Sequence, residues 1–187
     1  MGRLIVISGP SGAGKGTLIS RLLERSDRFV VATSATTRRR RPGEVDGREY
    51  FFLDDAEFQG HVDRNEFLEH VSYAGGRYGT LRDEVDRLLA SGHDVILELE
   101  VDGAFNVRRR RQDALLVFID PPSFEDLERR LRARATDSAG EISTRLAIAR
   151  EQLETKQSFD LVVVNDDRDR ATGELLAMLG GVPTEGN

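Results

Sequence analysis

Residues 9 to 16 form a glycine-rich segment that directly follows an apolar run at residues 4–7. Its members are Gly9, Pro10, Ser11, Gly12, Ala13, Gly14, Lys15 and Gly16. The apolar run is typical of a strand, and the residues that follow from Thr17 have the character of a helix. In a strand–turn–helix of this kind, backbone N–H groups and the helix N-terminus face an anion. Lys15 then supplies a point charge for the outer phosphates of a nucleotide.

The lysine is also informative because the chain contains only two lysines, Lys15 and Lys156, among 27 basic residues. A slender ammonium differs chemically from a planar guanidinium, so its use at position 15 favours a functional role. The full phosphate-binding motif has Ser or Thr after the lysine, where the hydroxyl ligates magnesium. Here that residue is Gly16, followed by Thr17, so the motif does not define how a metal ion is held.

A second anion site is predicted in the segment 34–44, which follows the end of a predicted strand. Arg38 and Arg41 lie three residues apart beside Pro and Gly, and two guanidinium groups can clamp one phosphate. A phosphate monoester carries a charge of about −1.5 to −2, which two arginines can balance. Tyr50 and Tyr78 either add phenolic donors to this site or are half-buried residues of a sheet.

Three glutamates suggest what else the ligand contains. Glu98 and Glu100 lie two residues apart at the end of a predicted strand and so point to one face, and Glu69 ends the segment 65–69. A phosphate repels carboxylates, so they make sense only if they contact a different part of the same ligand. Guanine offers N1–H and an exocyclic amine to one carboxylate, whereas adenine presents an acceptor at N1. The alternative is that Glu69 and Glu100 are solvated strand ends.

The length and composition indicate one α/β domain of 187 residues, with a net charge of −6 and no cysteine. The histidines share no metal-ligand spacing, and the acidic balance argues against a nucleic-acid partner. No signal peptide and no apolar span of about 20 residues is present in the sequence. We therefore expect a cytoplasmic protein that binds small molecules and neither nucleic acid nor membrane; the oligomeric state stays open.

Alternating strand and helix patterns predict a doubly wound parallel sheet of five strands. The predicted strands are 4–7, 29–32, 95–99, 115–119 and 161–164. The predicted helices are 17–25, 81–91, 101–110, 123–134, 141–158 and 168–179. Residues 34–80 are too long for one crossover and predict an inserted subdomain, with strands at 49–53 and 67–73 around a helix near 54–62. The expected organisation is a core at 1–33 and 81–180 that carries a small lid at 134–141, the insert at 34–80, and a disordered tail at 181–187.

Eight short segments together resemble one known family. They are Gly9–Lys15, Ser34–Arg38, Arg41–Gly47, Tyr50–Phe52, Glu66–Glu69, Tyr78–Thr80, Pro121–Ser123 and Val164–Asp167. The chain resembles the guanylate kinases, P-loop enzymes that move the γ-phosphoryl group of ATP onto GMP. The P-loop alone occurs in many NTPases, but its combination with the segment 34–52 is specific. The resemblance extends over residues 4–179 and implies a GMP site in the insert.

The resemblance also implies a role for each matching residue. The GMP phosphate would contact Arg38, Arg41, Tyr50 and Tyr78, and guanine would contact Ser34, Glu69, Thr80 and Glu100. ATP would lie on residues 9–17, with Arg130, Arg134 and Arg145 covering its phosphates and Asn165 near adenine. The residues expected to act on the transferred group are Lys15, Arg38, Arg134 and Arg145. Family members use ATP with Mg²⁺ and close around both nucleotides.

Several residues depart from the family pattern: Gly16, Arg40, Glu100, Asp102, Ala133 and Ala135 stand where Ser or Thr, Pro, Asp, Gln, Gly and Gly are usual. Two other functions are compatible with the resemblance. One is a catalytically silent module that uses the clamp for phosphorylated partners. The other is a kinase for a different acceptor, such as dGMP, AMP or a sugar phosphate, although Glu69 and Glu100 argue against AMP.

Overall fold

The structure is a computed structural model that describes residues 2–73, 75–133 and 139–180. The strands in these residues are β1 (Leu4–Ser8), β2 (Phe29–Val31), β3 (Ala35–Thr36), β4 (Phe51–Phe52), β5 (Phe67–Tyr73), β6 (Gly76–Leu81), β7 (Asp94–Glu98), β8 (Leu115–Asp120) and β9 (Leu161–Val164). The helices are α1 (Lys15–Arg25), α2 (Asp55–Asp63), α3 (Arg82–Ala90), α4 (Val101–Arg110), α5 (Phe124–Arg132), α6 (Ala139–Glu154) and α7 (Arg168–Met178). A 3₁₀-helix, Thr155–Ser158, follows α6.

The central sheet has five strands in the order β2-β7-β1-β8-β9, and every neighbouring pair is parallel. In the register of the middle strands, Ile5 lies between Ile96 and Leu115. Because parallel strands end at the same edge, Ser8 and Glu98 are brought together there, as α/β folds require of a ligand site. The predicted five-stranded parallel sheet is confirmed.

Successive residues of β1 serve two different cores, because side chains alternate between the faces of a sheet. Val6 packs with Val85 of α3 and Val101 of α4. Ile7 packs with Leu18 of α1 and Leu175 of α7 on the opposite face. All of these side chains are almost fully buried, and each contributes about 1.5–3 kcal/mol of hydrophobic stabilisation. The helices therefore cover both faces, which makes the fold doubly wound.

A second sheet of four strands, in the order β4-β3-β6-β5, lies between residues 35 and 81. It is mixed, since β3 pairs with β4 in parallel while β6 pairs with β3 and β5 in antiparallel fashion. A capping box at Asp54 and Glu57 starts α2, which packs Phe58 against Phe67 at a ring-centroid distance of 4.5 Å. The sequence indicated β4 and β5 in this segment but neither β3 nor β6.

Strand β6 was missed because Gly76 and Gly79 weaken its pattern. The structure explains the second glycine: a Cβ at position 79 would lie 2.8 Å from the Phe67 ring. The glycine therefore reflects close packing within the sheet and does not mark a turn. Strand β3 has only two residues, too few for a pattern to be recognised.

Helix boundaries differ from the predictions by a few residues. Helix α1 begins at Lys15 and not at Thr17, because Gly14 adopts a φ of 92° and turns the chain directly into the helix. The predicted helix 141–158 is observed as α6 followed by the 3₁₀-helix. Of the predicted lid, residues 134–138 lie outside the described residues, and so does the whole tail at 181–187. Each helix in the described part of the chain is too short or too polar to cross a membrane.

Candidate functional site

The glycine-rich loop connects β1 to α1 and folds tightly around its own lysine. The Lys15 ammonium donates hydrogen bonds to the carbonyl oxygens of Gly9 at 2.7 Å and Pro10 at 3.2 Å, and the residue is only 8% exposed. Gly14 is required at its position because a Cβ there would lie 2.4 Å from the Asn165 amide nitrogen, at a φ that favours glycine. The loop is a backbone cradle at a helix N-terminus, which suits an anion.

Two residues that were predicted to contact ATP, Asn165 and Arg130, form hydrogen bonds with the backbone of this loop. Asn165 Nδ2 donates to the Ala13 carbonyl oxygen at 2.7 Å. The Arg130 guanidinium donates to the same oxygen at 3.4 Å and to the Asn165 carbonyl oxygen at 3.0 Å. Asn165 is buried, and its Oδ1 atom has no hydrogen-bond partner among the described residues. Both side chains therefore lie at the loop, and both contact its backbone.

A cleft of about 650 Å³ connects the loop to the second sheet. The predicted site residues that line it are Ser11, Gly12, Gly14, Lys15, Gly16, Thr17, Ser34, Tyr50, Thr80 and Glu100. Those outside its lining are Gly9, Pro10, Ala13, Arg38, Arg41, Glu69, Tyr78, Arg130, Arg145 and Asn165. Arg134 lies outside the described residues. The cleft also contacts Glu98, one of the three glutamates singled out in the sequence, and Glu49, which the sequence analysis did not assign to binding.

The predicted phosphate clamp is built around Arg38. Its guanidinium makes two hydrogen bonds to the Glu44 carboxylate, at 2.7 and 3.0 Å, and lies 5.4 Å from the centroid of the Tyr50 ring. The Tyr50 and Tyr78 ring centroids are 6.1 Å apart. The Arg41 backbone N–H donates to Glu44 at 2.7 Å. The structure thus brings Arg38, Tyr50 and Tyr78 together, with Arg41 joined to them through its backbone.

Glu44 is a functional candidate that the sequence analysis did not assign. The hydrogen bonds from Arg38 and from the Arg41 backbone lower the pKa of Glu44 to about 2, so it stays ionised well into the acidic range. Its carboxylate fixes the direction of the Arg38 guanidinium through a bidentate contact. The only signal in the sequence is its place within the segment Arg41–Gly47, three residues after Arg41.

The Glu69 carboxylate lies at the junction of the second sheet and α4. Glu69 is 7% exposed and accepts a hydrogen bond of 2.9 Å from the hydroxyl of Thr80, its partner in the β5–β6 register. Burial raises the pKa of Glu69, while hydrogen bonds from the Thr80 side chain and backbone act in the opposite direction. A buried carboxylate with spare acceptor capacity suits a ligand that brings two N–H donors.

Glu98 ends β7, which lies beside β1, Glu100 follows the strand, and both line the cleft. Glu98 Oε2 lies 3.5 Å from the position that a Cβ at Gly16 would occupy. Desolvation raises the pKa of Glu98; Lys15 opposes this and the negative charge of Glu100 adds to it. Glu100 accepts a hydrogen bond of 3.2 Å from Gln152 on α6. The cleft therefore has a basic loop at one end and carboxylates along its walls.

A glycine-rich loop with its lysine, at the carboxyl edge of a five-stranded parallel sheet, makes this protein a P-loop nucleotide-binding protein. The crystal structure of a shikimate kinase from Bacteroides thetaiotaomicron shares the fold, with 17% identity, a TM-score of 0.50, and coverage of 95% of this chain and 98% of that one.

The chain belongs to the guanylate kinase family, whose sequence model matches residues 1–180. It is 46% identical over 186 residues to a guanylate kinase of Rubrobacter xylanophilus, covering 100% of this chain and 97% of that relative. It also resembles the crystal structure of a guanylate kinase from Anaplasma phagocytophilum, with 29% identity, a TM-score of 0.73, and coverage of 96% of this chain and 85% of that one. The resemblance seen in the sequence is confirmed.

Proposed function

We propose that this chain transfers the γ-phosphoryl group of ATP to the phosphate of GMP, giving ADP and GDP. The family membership and the full-length similarity to guanylate kinases support this reaction. The observation that carries it in the structure is the single cleft that joins Lys15 to Ser34, Tyr50 and Thr80. A triphosphate on the loop and a monophosphate beneath the second sheet would meet end to end in that cleft.

In the transfer, an oxygen of the GMP phosphate forms a bond to the γ-phosphorus while the bond to the β-phosphate oxygen of ADP breaks. The attacking oxygen is already anionic, so no general base is needed. The protein's task is to position the two phosphates and to neutralise charge. Lys15 would leave the Gly9 and Pro10 carbonyl oxygens to contact the outer phosphates of ATP. We assign Arg145, half-buried on α6, and Arg134 to the transferred group on the family resemblance.

On the acceptor side, Arg38 and Arg41 would hold the GMP phosphate with the Tyr50 and Tyr78 hydroxyls. Guanine would donate N1–H and its amine to Glu69, with Ser34, Thr80 and Glu100 completing the contacts. On the donor side, we assign Asn165 to adenine on the family resemblance; its Oδ1 atom, which has no partner among the described residues, is buried and would have to become exposed to accept from the exocyclic amine. Arg130, next to it, would remain at the base of the loop near the ATP phosphates.

The expected cofactor is Mg²⁺, bound together with ATP. Mg²⁺ prefers oxygen ligands and usually takes one or two carboxylates besides phosphates and water. Glu98 fits this need, because its Oε2 atom faces the space next to Gly16 where the usual hydroxyl would project. Within the described residues no group of three His, Cys, Asp or Glu side chains can hold a metal, so the phosphates would supply most ligands. When bound, the ion neutralises charge on the phosphates.

The most direct test is a panel of acceptors assayed for ADP formation from ATP and Mg²⁺: GMP, dGMP, AMP and a sugar phosphate. We expect rapid turnover with GMP, turnover with dGMP, and kcat/KM for AMP lower by about 10⁴-fold, because adenine presents an acceptor at N1 to the buried Glu69 carboxylate. No GMP-dependent ADP formation would overturn the proposal. Binding of a phosphopeptide without ATP or GMP would instead favour a silent module, which no comparison supports. The cytoplasmic location stays a prediction.

Replacing Glu44 tests whether it positions Arg38. We expect Glu44→Ala to raise KM for GMP about tenfold with little change in KM for ATP, because the freed Arg38 side chain must be ordered on binding. Steady-state kinetics with each substrate varied in turn would measure this. Glu24→Ala, an exposed glutamate on α1, is the control. A lower KM for GMP would show that Glu44 competes with the phosphate and does not assist it.

A further inference from the structure

One side-chain hydrogen bond connects a residue that lines the cleft to a helix residue 52 positions away in the sequence. Gln152 Nε2, on α6, donates to Glu100 Oε2, just after β7, at 3.2 Å. This is the only side-chain hydrogen bond that Glu100 makes within the described part of the chain. Glu100 is longer by one methylene than the aspartate that the family usually carries, and the extra length extends its carboxylate toward α6.

The exposure of Glu100 and the charges near it indicate what this hydrogen bond does. Glu100 is exposed to the cleft, and Glu98, two residues earlier, carries a like charge that interacts with it. A carboxylate on an exposed, flexible side chain has many rotamers, and repulsion from Glu98 favours those that point away. A neutral amide donor on α6 selects one direction without adding charge. The Glu100 carboxylate is thereby held where guanine is expected.

The position of Gln152 on α6 relates it to the donor side of the cleft. Gln152 follows Arg145 by seven residues, which in a helix places both on one face about 10 Å apart. Leu146 and Ala149 pack on α5, and Leu153 packs against the core that contains Val6, so α6 is anchored along this length. One face of α6 therefore carries the arginine assigned to the transferred group and the amide that contacts Glu100.

We propose that Gln152 is a positioning residue that orients Glu100 for guanine and connects the acceptor site to the helix that carries Arg145. The proposal rests on the proposed function. Because packing anchors α6, its amide gives the Glu100 carboxylate a defined direction before guanine binds.

The test uses Gln152→Met, which keeps the length of the side chain and removes the donor, with Gln157→Met as the matched control on the exposed 3₁₀-helix. We expect KM for GMP to rise about fivefold in Gln152→Met, with KM for ATP within twofold of the wild type. Gln152→Glu, which brings a third carboxylate to Glu98 and Glu100, should raise KM for GMP further. Thermal melting of each variant verifies that it is folded.

A double-mutant cycle isolates the contact from a general effect on α6. In a Glu100→Ala background, Gln152→Met should leave KM for GMP unchanged, because the carboxylate that Gln152 contacts has already been removed. Equal effects in both backgrounds would overturn the inference, and so would a Gln152→Met enzyme that matches Gln157→Met. If the wild type itself shows no GMP-dependent ADP formation, the proposed function fails and not this contact alone.

Discussion

Lys15→Ala is expected to lower kcat by about 10³-fold or more while the protein stays folded. The lysine is the cation that the glycine-rich loop holds for the outer phosphates, and loss of one preorganised group that stabilises transferred charge costs about 10²–10³-fold in other enzymes. A larger loss is expected here because Lys15 carries a full charge in a buried position, where it is poorly screened. Steady-state ADP formation at saturating ATP and GMP measures the effect.

Two further variants make this result specific. Lys15→Arg keeps the charge, but the planar guanidinium does not fit the loop around Gly9 and Pro10, so kcat should remain at least about 10²-fold low. Lys156→Ala removes the only other lysine in the chain, which pairs with Asp120 at a distance of 2.8 Å and does not line the cleft. It should keep kcat near the wild type, with a lower melting temperature. A Lys15→Ala enzyme within tenfold of wild-type kcat would contradict the assigned role.

The parts of the fold that the sequence predicted are those determined by local pattern. The three middle strands of the central sheet, β7, β1 and β8, are short runs of mostly buried side chains, and each is followed by a helical pattern. The P-loop is equally local, because its glycines, its lysine and the flanking strand and helix are contiguous. Strand β6 was not predicted because Gly79 weakens its pattern. The glycine is needed to leave room for the Phe67 ring on the neighbouring strand, and the residues adjacent in sequence do not reveal this contact.

In the candidate site too, the sequence does not reveal roles that depend on a partner brought close only by folding. The roles of Glu44 and Gln152 depend on partners that only the folded chain brings near, Arg38 and Glu100. For Asn165 and Arg130, the resemblance indicated ATP, and the structure adds that both contact the loop's own carbonyl oxygens. The low pKa of Glu44, about 2, also follows from its contacts and not from its residue type.

Glu69→Gln is the second substitution with a large expected effect, a loss of about 10²-fold in kcat/KM for GMP with KM for ATP unchanged. The amide offers guanine one acceptor and one donor, so one of the two guanine N–H groups meets another donor inside a buried site. Glu66→Gln, a surface residue three positions earlier that pairs with Arg64, is the matched control and should behave as the wild type. Equal values for the two variants would remove Glu69 from guanine recognition.

The pH dependence provides an independent test of the same residue. Burial raises the pKa of Glu69 above its usual value of about 4.3, and only the ionised form accepts both guanine donors. As the pH falls through this raised pKa, the carboxyl becomes protonated and kcat/KM for GMP must fall.

The GMP phosphate itself has a second pKa of about 6, but its ionisation affects the wild type and Glu69→Gln alike. The ratio of kcat/KM for GMP in the wild type to that in Glu69→Gln therefore reports on Glu69 alone. This ratio should fall toward acidic pH, because the protonated carboxyl no longer accepts both guanine N–H groups. A ratio that stays constant from neutral to acidic pH would mean that the ionised Glu69 carboxylate is not what binds guanine.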